Sequence, residues 1–126
     1  MKCLIISGSP SSNYRFGDRE TGSFTGKLTE HAASVMNLMG EMEYAELRLA
    51  DVQRPPCTGC YKCFNFGENF CPHAKQIQPI AALMRETDCF ILTSPVYAMN
   101  VTGTMKNFLD HLAYFYNRPE FFGKKA

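Results

Sequence analysis

Four cysteines crowd between positions 57 and 71, reading Cys57-Thr-Gly-Cys60-Tyr-Lys-Cys63 and, after seven residues, Cys71-Pro-His73. Three cysteines at three-residue intervals and a fourth further on supply four thiolates, the ligand set of a [4Fe–4S] cluster. The same residues suit zinc, through Cys57, Cys60, Cys63 and either Cys71 or His73. They also suit free thiols beside a redox cofactor, with Cys57 or Cys60 as the redox-active one. On the residues alone the three occupants stay open. The remaining two of the six cysteines, Cys3 and Cys89, sit inside apolar runs and read as core. Clustered thiols in a chain whose N-terminus runs straight into a strand point to a reducing compartment, so the expected location is cytoplasmic.

Two loops carry a second kind of chemistry. Gly8-Ser9-Pro10 leads through a polar stretch to Gly22-Ser23-Phe24-Thr25, immediately before a helical pattern. Small residues there let backbone N–H groups approach a phosphate, and a helix N-terminus adds partial positive charge. Ser9, Ser23 and Thr25 add hydroxyl donors, a set suited to a terminal monophosphate such as that of FMN. A pyrophosphate site would carry G-x-G-x-x-G after the first strand, which is absent. Gly22 to Lys27 imitates a nucleotide P-loop but has three residues between its glycines instead of four, and Leu28 replaces the magnesium-binding hydroxyl. The second loop is Ser94-Pro95-Val96-Tyr97-Ala98-Met99-Asn100-Val101-Thr102-Gly103. Pro95 fixes φ and Gly103 is permissive, so this backbone can run close to a flat ligand. Tyr97 could stack on a ring, and Asn100 could bond its edge or a ribityl chain.

The elements that must position these loops follow from periodicity. Residues 2–7 and 89–93 are short continuous apolar runs ended by Gly-Ser-Pro and Ser-Pro, as in strands buried on both faces. Residues 44–49 form a further strand candidate. Phe24, Leu28, His31/Ala32, Val35 and Met39 have helical spacing, and Gly40 stands where that helix should stop. Ile77, Ile80, Ala81 and Met84 give one face of a second helix. Thr102 caps a third, with Met105, Phe108, Leu109, Leu112 and Tyr116 on its apolar face. On this pattern His31 packs on the sheet, and Asp110 is a helix-surface charge. Strands alternating with helices predict a parallel sheet with right-handed crossovers, covered on both faces. Ligands of such sheets bind beyond the strands' C-terminal ends, where both loops emerge.

Composition sets bounds on partners. With 13 basic and 12 acidic side chains spread along 126 residues, and a net charge of +1, nothing favours nucleic acid or an anionic membrane. No apolar run approaches the roughly 18 residues of a spanning helix. The Lys124-Lys125 pair reads as a solvated end.

Taken in order, Gly8-Ser9-Pro10, Ser23-Phe24-Thr25, Cys57-Thr-Gly-Cys60-x-x-Cys63, Ser94-Pro-Val-Tyr97 and Thr102-Gly-Thr-Met-Lys-Asn-Phe-Leu-Asp110 resemble the flavodoxin-like NADPH-dependent FMN reductases, a family that includes the iron–sulfur flavoproteins. The resemblance spans essentially the whole chain as one domain, residues 1–126. It implies that Ser9, Ser23, Phe24 and Thr25 surround the FMN phosphate, and that Pro95, Val96, Tyr97, Ala98 and Asn100 line the isoalloxazine and ribityl. It further implies NAD(P)H as cosubstrate, a small acceptor such as a quinone or flavin, and a homodimer; it names no catalytic side chain. The chain departs from the family in a first loop lengthened at positions 13–21, in Pro-His-Ala after Cys71, and in His111 where an arginine is usual. The implied fold is an α/β flavodoxin-like three-layer one with strand order 2-1-3-4-5. Only three strands are found here, so the expectation is order 2-1-3, strands 4 and 5 missing, with the third strand left as an open apolar edge.

Overall fold

The computed structural model describes residues 1–11, 23–115, 121, 123 and 124. The lengthened stretch at 13–21, Gly22, Tyr116, Phe122 and Lys125 lie outside the described residues. Three parallel strands, β1 (Lys2–Ser7), β2 (Glu43–Arg48) and β3 (Cys89–Thr93), form a sheet in the order β2-β1-β3. Cys3 faces Tyr44 on one side and Cys89 on the other, and Ser7 faces Arg48 and Thr93. The helices are α1 (Phe24–Asn37), a short α2 (Lys62–Phe66), α3 (Ala74–Arg85) and α4 (Gly103–His111). Between β3 and α4 stands a small antiparallel hairpin, β4 (Val96–Tyr97) and β5 (Asn100–Val101).

β1 is the central strand, and Cys3, Leu4, Ile5 and Ile6 are all buried, which is why its apolar run is continuous. Successive side chains point to opposite faces. Leu4 and Ile6 join Ile80 and Met84 of α3 and Met105 and Phe108 of α4 in the main core. Cys3 and Ile5 take the other face, where the Tyr44 hydroxyl donates to the Ala33 carbonyl of α1 at 2.9 Å. Helices therefore cover both faces, as the strand–helix alternation predicts.

α3 buries the four residues its periodicity names, and α4 begins at Thr102, whose hydroxyl accepts the Met105 N–H at 3.1 Å. Along α4 the buried positions are Met105, Phe108 and His111, while Leu109 is 37% exposed. The face of α1 is the opposite of the expected one. Gly26, Thr29 and Ala33 are buried and Ala32 is half-buried, whereas Phe24 (89% exposed), Leu28, Val35 and Met39 lie outward, as does His31. The small residues let the helix lie close to the sheet, and Thr29 satisfies its hydroxyl on the Thr25 carbonyl at 2.8 Å. The larger apolar side chains at four-residue spacing are left as an exposed stripe.

Candidate functional site

The two loops are stitched together where β1 and β3 end. Gly8 donates its N–H to the Thr93 carbonyl at 2.7 Å, and its own carbonyl accepts the buried Thr102 hydroxyl at 2.6 Å. A Cβ on residue 8 would lie 2.8 Å from the Met105 Cβ, so only glycine lets β1 end this close to α4. Ser94 continues the seam, its hydroxyl accepting the Thr102 N–H at 3.0 Å. These contacts hold the chain after β1 beside the chain after β3.

Around that seam stand the expected phosphate-binding hydroxyls. Ser9 is buried and accepts the Ser11 N–H at 3.3 Å; Ser23 caps α1 by accepting the Gly26 N–H at 3.2 Å. Accepting those bonds leaves each hydroxyl hydrogen available as a donor. The first N–H groups of α1 have no partner within the helix and bring its positive end to the same place. Thr25 lines a cavity of about 260 Å³ between α1 and β3, together with Leu28, Leu92 and Ser94. Phe24, expected nearby, points to solvent. Arg48 was not singled out by any motif. Its side chain is 6% exposed at the end of β2, and it donates to the Ser11 carbonyl at 2.8 Å while lying 3.5 Å from Asp51. A buried guanidinium thus anchors the loop that follows β1.

The β4–β5 hairpin turns through Ala98 (φ 47°) and Met99 (φ 66°). Two successive left-handed residues make the two-residue turn that normally takes Asn-Gly, and here neither is glycine. Such residues cost on the order of 1–3 kcal/mol each and concentrate where a backbone serves a ligand. Pro95 is half-buried, while Val96, Tyr97, Ala98, Met99 and Asn100 are exposed. The Asn100 carboxamide oxygen accepts the Val101 N–H at 2.8 Å, leaving its NH₂ free to donate.

A second cavity, of about 320 Å³, gathers Cys57, Cys60, Cys63 and Cys71 with His73 and His111. All six cysteines of the chain are free thiols. The loop carrying the first three bends through Gly59 (φ 65°) and Tyr61 (φ 55°), a second place where a non-glycine residue is left-handed. α4 fixes it: Asn107 accepts the Cys57 N–H and donates to the Arg54 carbonyl, both at 3.3 Å, and His111 donates from Nε2 to the Pro55 carbonyl at 2.8 Å. Burial pushes the Cys63 thiol above its ordinary range, reinforced by the charges that Cys71, Cys57 and Cys60 would carry beside it. Among the described residues, no three His, Cys, Asp or Glu side chains are already disposed around a single metal ion. Thr102 at one end of α4 touches the first site and His111 at the other end lines the second, about 14 Å apart at 1.5 Å per residue.

The sequence model of the NADPH-dependent FMN reductases matches residues 1–126. The chain belongs to that family. Its curated relatives include an iron–sulfur flavoprotein of Archaeoglobus fulgidus, 32% identical over 98% of this chain and 51% of that protein. Another is an iron–sulfur flavoprotein of Methanocaldococcus jannaschii, 34% identical over 87% of this chain and 51% of its own length. Among solved structures, an FMN-dependent NADH-azoreductase of Bacillus anthracis in complex with FMN superposes with a TM-score of 0.57 at 14% identity, over 88% of this chain and 55% of that one. That likeness supports the flavodoxin-like α/β fold. The chain spans about half the length of the curated relatives it matches.

For this FMN reductase-family chain, the expected residues fall into two groups. Ser9, Ser23, Thr25 and Pro95 sit at the strand-end seam. Val96, Tyr97, Ala98 and Asn100 belong to the exposed hairpin between β3 and α4. The cysteines share one cavity, joined by His73 and by His111, which carried no assigned role. Periodicity could have flagged His111, since it continues the buried Met105–Phe108 face of α4. Among the described residues, no helix is long and apolar enough to cross a membrane.

Proposed function

We propose that this chain binds FMN at the seam between β1, β3 and α4 and serves a cytoplasmic oxidoreductase that takes electrons from NAD(P)H and delivers them to a small acceptor such as a quinone or another flavin. The observation that carries this reading is the seam itself: Gly8, Ser94 and Thr102 lock two loops edge to edge, with donor hydroxyls on one side and a left-handed hairpin on the other. Bound FMN would supply hydride acceptance and stepwise electron release, chemistry that belongs to the cofactor. The residues present suit it. Ser9, Ser23 and Thr25 with the first turn of α1 would hold the phosphate, Asn100 would bond the ribityl or ring edge, and Tyr97 and Val96 would flank the ring and exclude water. No side chain is needed as acid or base. The outer edge of β3 and the exposed stripe of α1 would seat further strands and helices or the second subunit of a homodimer. Purified protein mixed with FMN should show a flavin spectrum that NADH or NADPH bleaches without oxygen; flavin that stays free in solution counts against the proposal.

A second reading concerns the cysteine cavity, where a [4Fe–4S] cluster would make the protein an iron–sulfur flavoprotein passing electrons along α4. It is supported by four thiols that line one cavity of about 320 Å³. A single zinc, with Zn–S of about 2.3 Å, would draw its sulfurs within about 4 Å of one another, whereas the corners of a cuboidal cluster hold them further apart. Brown colour and acid-labile sulfide after anaerobic reconstitution are expected; zinc uptake alone would favour a structural site.

A further inference from the structure

Among the side chains that line the cysteine cavity, one carries a buried polar atom without a partner. His73 Nε2 is buried and makes no hydrogen bond among the described residues. Buried polar groups are nearly always paired, and an orphan costs about 1–3 kcal/mol. His73 is also held in place from three sides. Its backbone N–H lies 3.4 Å from the Cys71 Sγ, its carbonyl accepts the Gln76 and Ile77 N–H groups opening α3, and its ring stands edge-on to His111 at 5.5 Å and 87°. His111 is in turn fixed on the Pro55 carbonyl. A ring held this way, with an unused nitrogen and with four thiols, Asp110 and His111 lining the same cavity, is arranged for an acceptor that arrives with the ligand.

We propose that His73 is a positioning residue for the iron–sulfur group, its Nε2–H donating a hydrogen bond to a sulfur of a [4Fe–4S] cluster held by Cys57, Cys60, Cys63 and Cys71; this rests on the second reading above. Sulfur offers only lone pairs here, so Nε2 carries the proton. A one-electron reduction of a bound cluster would make its sulfurs more negative and strengthen the bond from His73 Nε2–H, so the residue would favour the reduced state and raise the reduction potential. No atom is transferred. The residue acts through the cluster's environment and leaves the four-thiolate ligand set intact.

The test compares wild type with His73→Gln, which keeps an N–H near the same place, and His73→Leu, which fills the space without one. Each is reconstituted anaerobically with ferrous iron and sulfide, assayed for bound iron, sulfide and visible absorption, and titrated for midpoint potential. All three should take up a cluster. The Leu variant should shift the reduction equilibrium about tenfold toward the oxidised form, about 59 mV for one electron, and the Gln variant should stay near wild type. His73→Phe, which keeps a ring against His111, replaces Leu if that variant does not fold, with the same expectation. Equal potentials in wild type and the variants without an N–H would overturn the proposal while leaving the cluster reading intact. Loss of the cluster in both Gln and Leu variants would make His73 a ligand and also overturn it. A wild-type protein that takes up no cluster would remove the cluster reading itself and the proposal with it.

Discussion

Replacing Gly8 with Ala tests whether the seam between β1, β3 and α4 is what builds the flavin site. The new Cβ would meet the Met105 Cβ at 2.8 Å, Met105 Cε at 3.0 Å and the Thr102 hydroxyl at 3.3 Å. The Cε end can swing aside, but the Met105 Cβ is fixed to the backbone of α4, so the helix or the strand end must move. Overpacking of this kind costs about 1–3 kcal/mol, and weakening the buried bond from Thr102 to the Gly8 carbonyl adds about 1 kcal/mol. The expected total of about 2–4 kcal/mol corresponds to a melting-temperature drop of roughly 6–20 °C for a domain of this size. FMN binding should fall together with stability, because the two loops are displaced relative to each other. Gly103→Ala is the matched control. Position 103 opens α4, has ordinary φ, and has nothing within 4 Å of an added Cβ, so this change should be neutral or stabilise by up to about 1 kcal/mol. Melting curves and FMN titrations of both variants are sufficient. A Gly8→Ala protein with wild-type melting temperature and FMN affinity would refute the reasoning.

Other expectations follow from the same geometry. Arg48→Met should weaken FMN more than riboflavin, by roughly tenfold, if the anchored Ser11 loop serves the phosphate; equal losses would confine Arg48 to folding. Phe24→Ser should change stability by less than about 0.5 kcal/mol, since that ring faces solvent, whereas Ala33→Leu on the buried face of α1 should destabilise by about 1–3 kcal/mol; the reverse ranking in urea melts would restore the face expected from periodicity. Native protein without iron should lose Cys60 first to a thiol reagent, with Cys3, Cys63 and Cys89 reacting only on unfolding; early labelling of Cys3 would contradict its burial. Burial, with Cys89 alongside, pushes the Cys3 thiol from 9.0 up to about 12. The unfolded chain therefore releases this proton first, so stability from this burial is complete below pH 9 and is lost as pH rises from 9 toward 12, which alkaline melting curves should follow.

How far the residues foretold the molecule depended on whether local pattern and tertiary packing agreed. β1 was legible because a strand buried on both faces is continuously apolar, and β3 because its run is apolar too, although Leu92 near its end is exposed. α3 was legible because its apolar face is what the core buries, and α4 because the Thr102 cap, Met105 and Phe108 are buried, while Leu109 of the expected face is exposed. α1 was legible as a helix but not in its orientation. Its large apolar residues obey helical spacing, yet close approach to the sheet selects Gly26, Thr29 and Ala33, and small residues carry almost no periodic signal. The β4–β5 hairpin gave no turn signature, because Ala98-Met99 occupies left-handed positions where Asn-Gly would be expected. The cysteine spacing disclosed a site. That His111, Asn107 and the Arg54–Cys57 stretch brace it depends on α4 crossing that loop, a contact between residues some fifty positions apart.

The central claim is that the phosphate of FMN is held where α1 begins and β1 ends. Its most direct test is a paired titration of FMN and riboflavin against wild type, Ser9→Ala and Thr25→Val, followed by flavin fluorescence. Each lost hydroxyl bond to a phosphate is worth about 1.5–3 kcal/mol, so FMN affinity should fall about tenfold or more in each variant while riboflavin affinity holds within about twofold. Equal losses for the two ligands, or FMN affinity unchanged in both variants, would contradict the account.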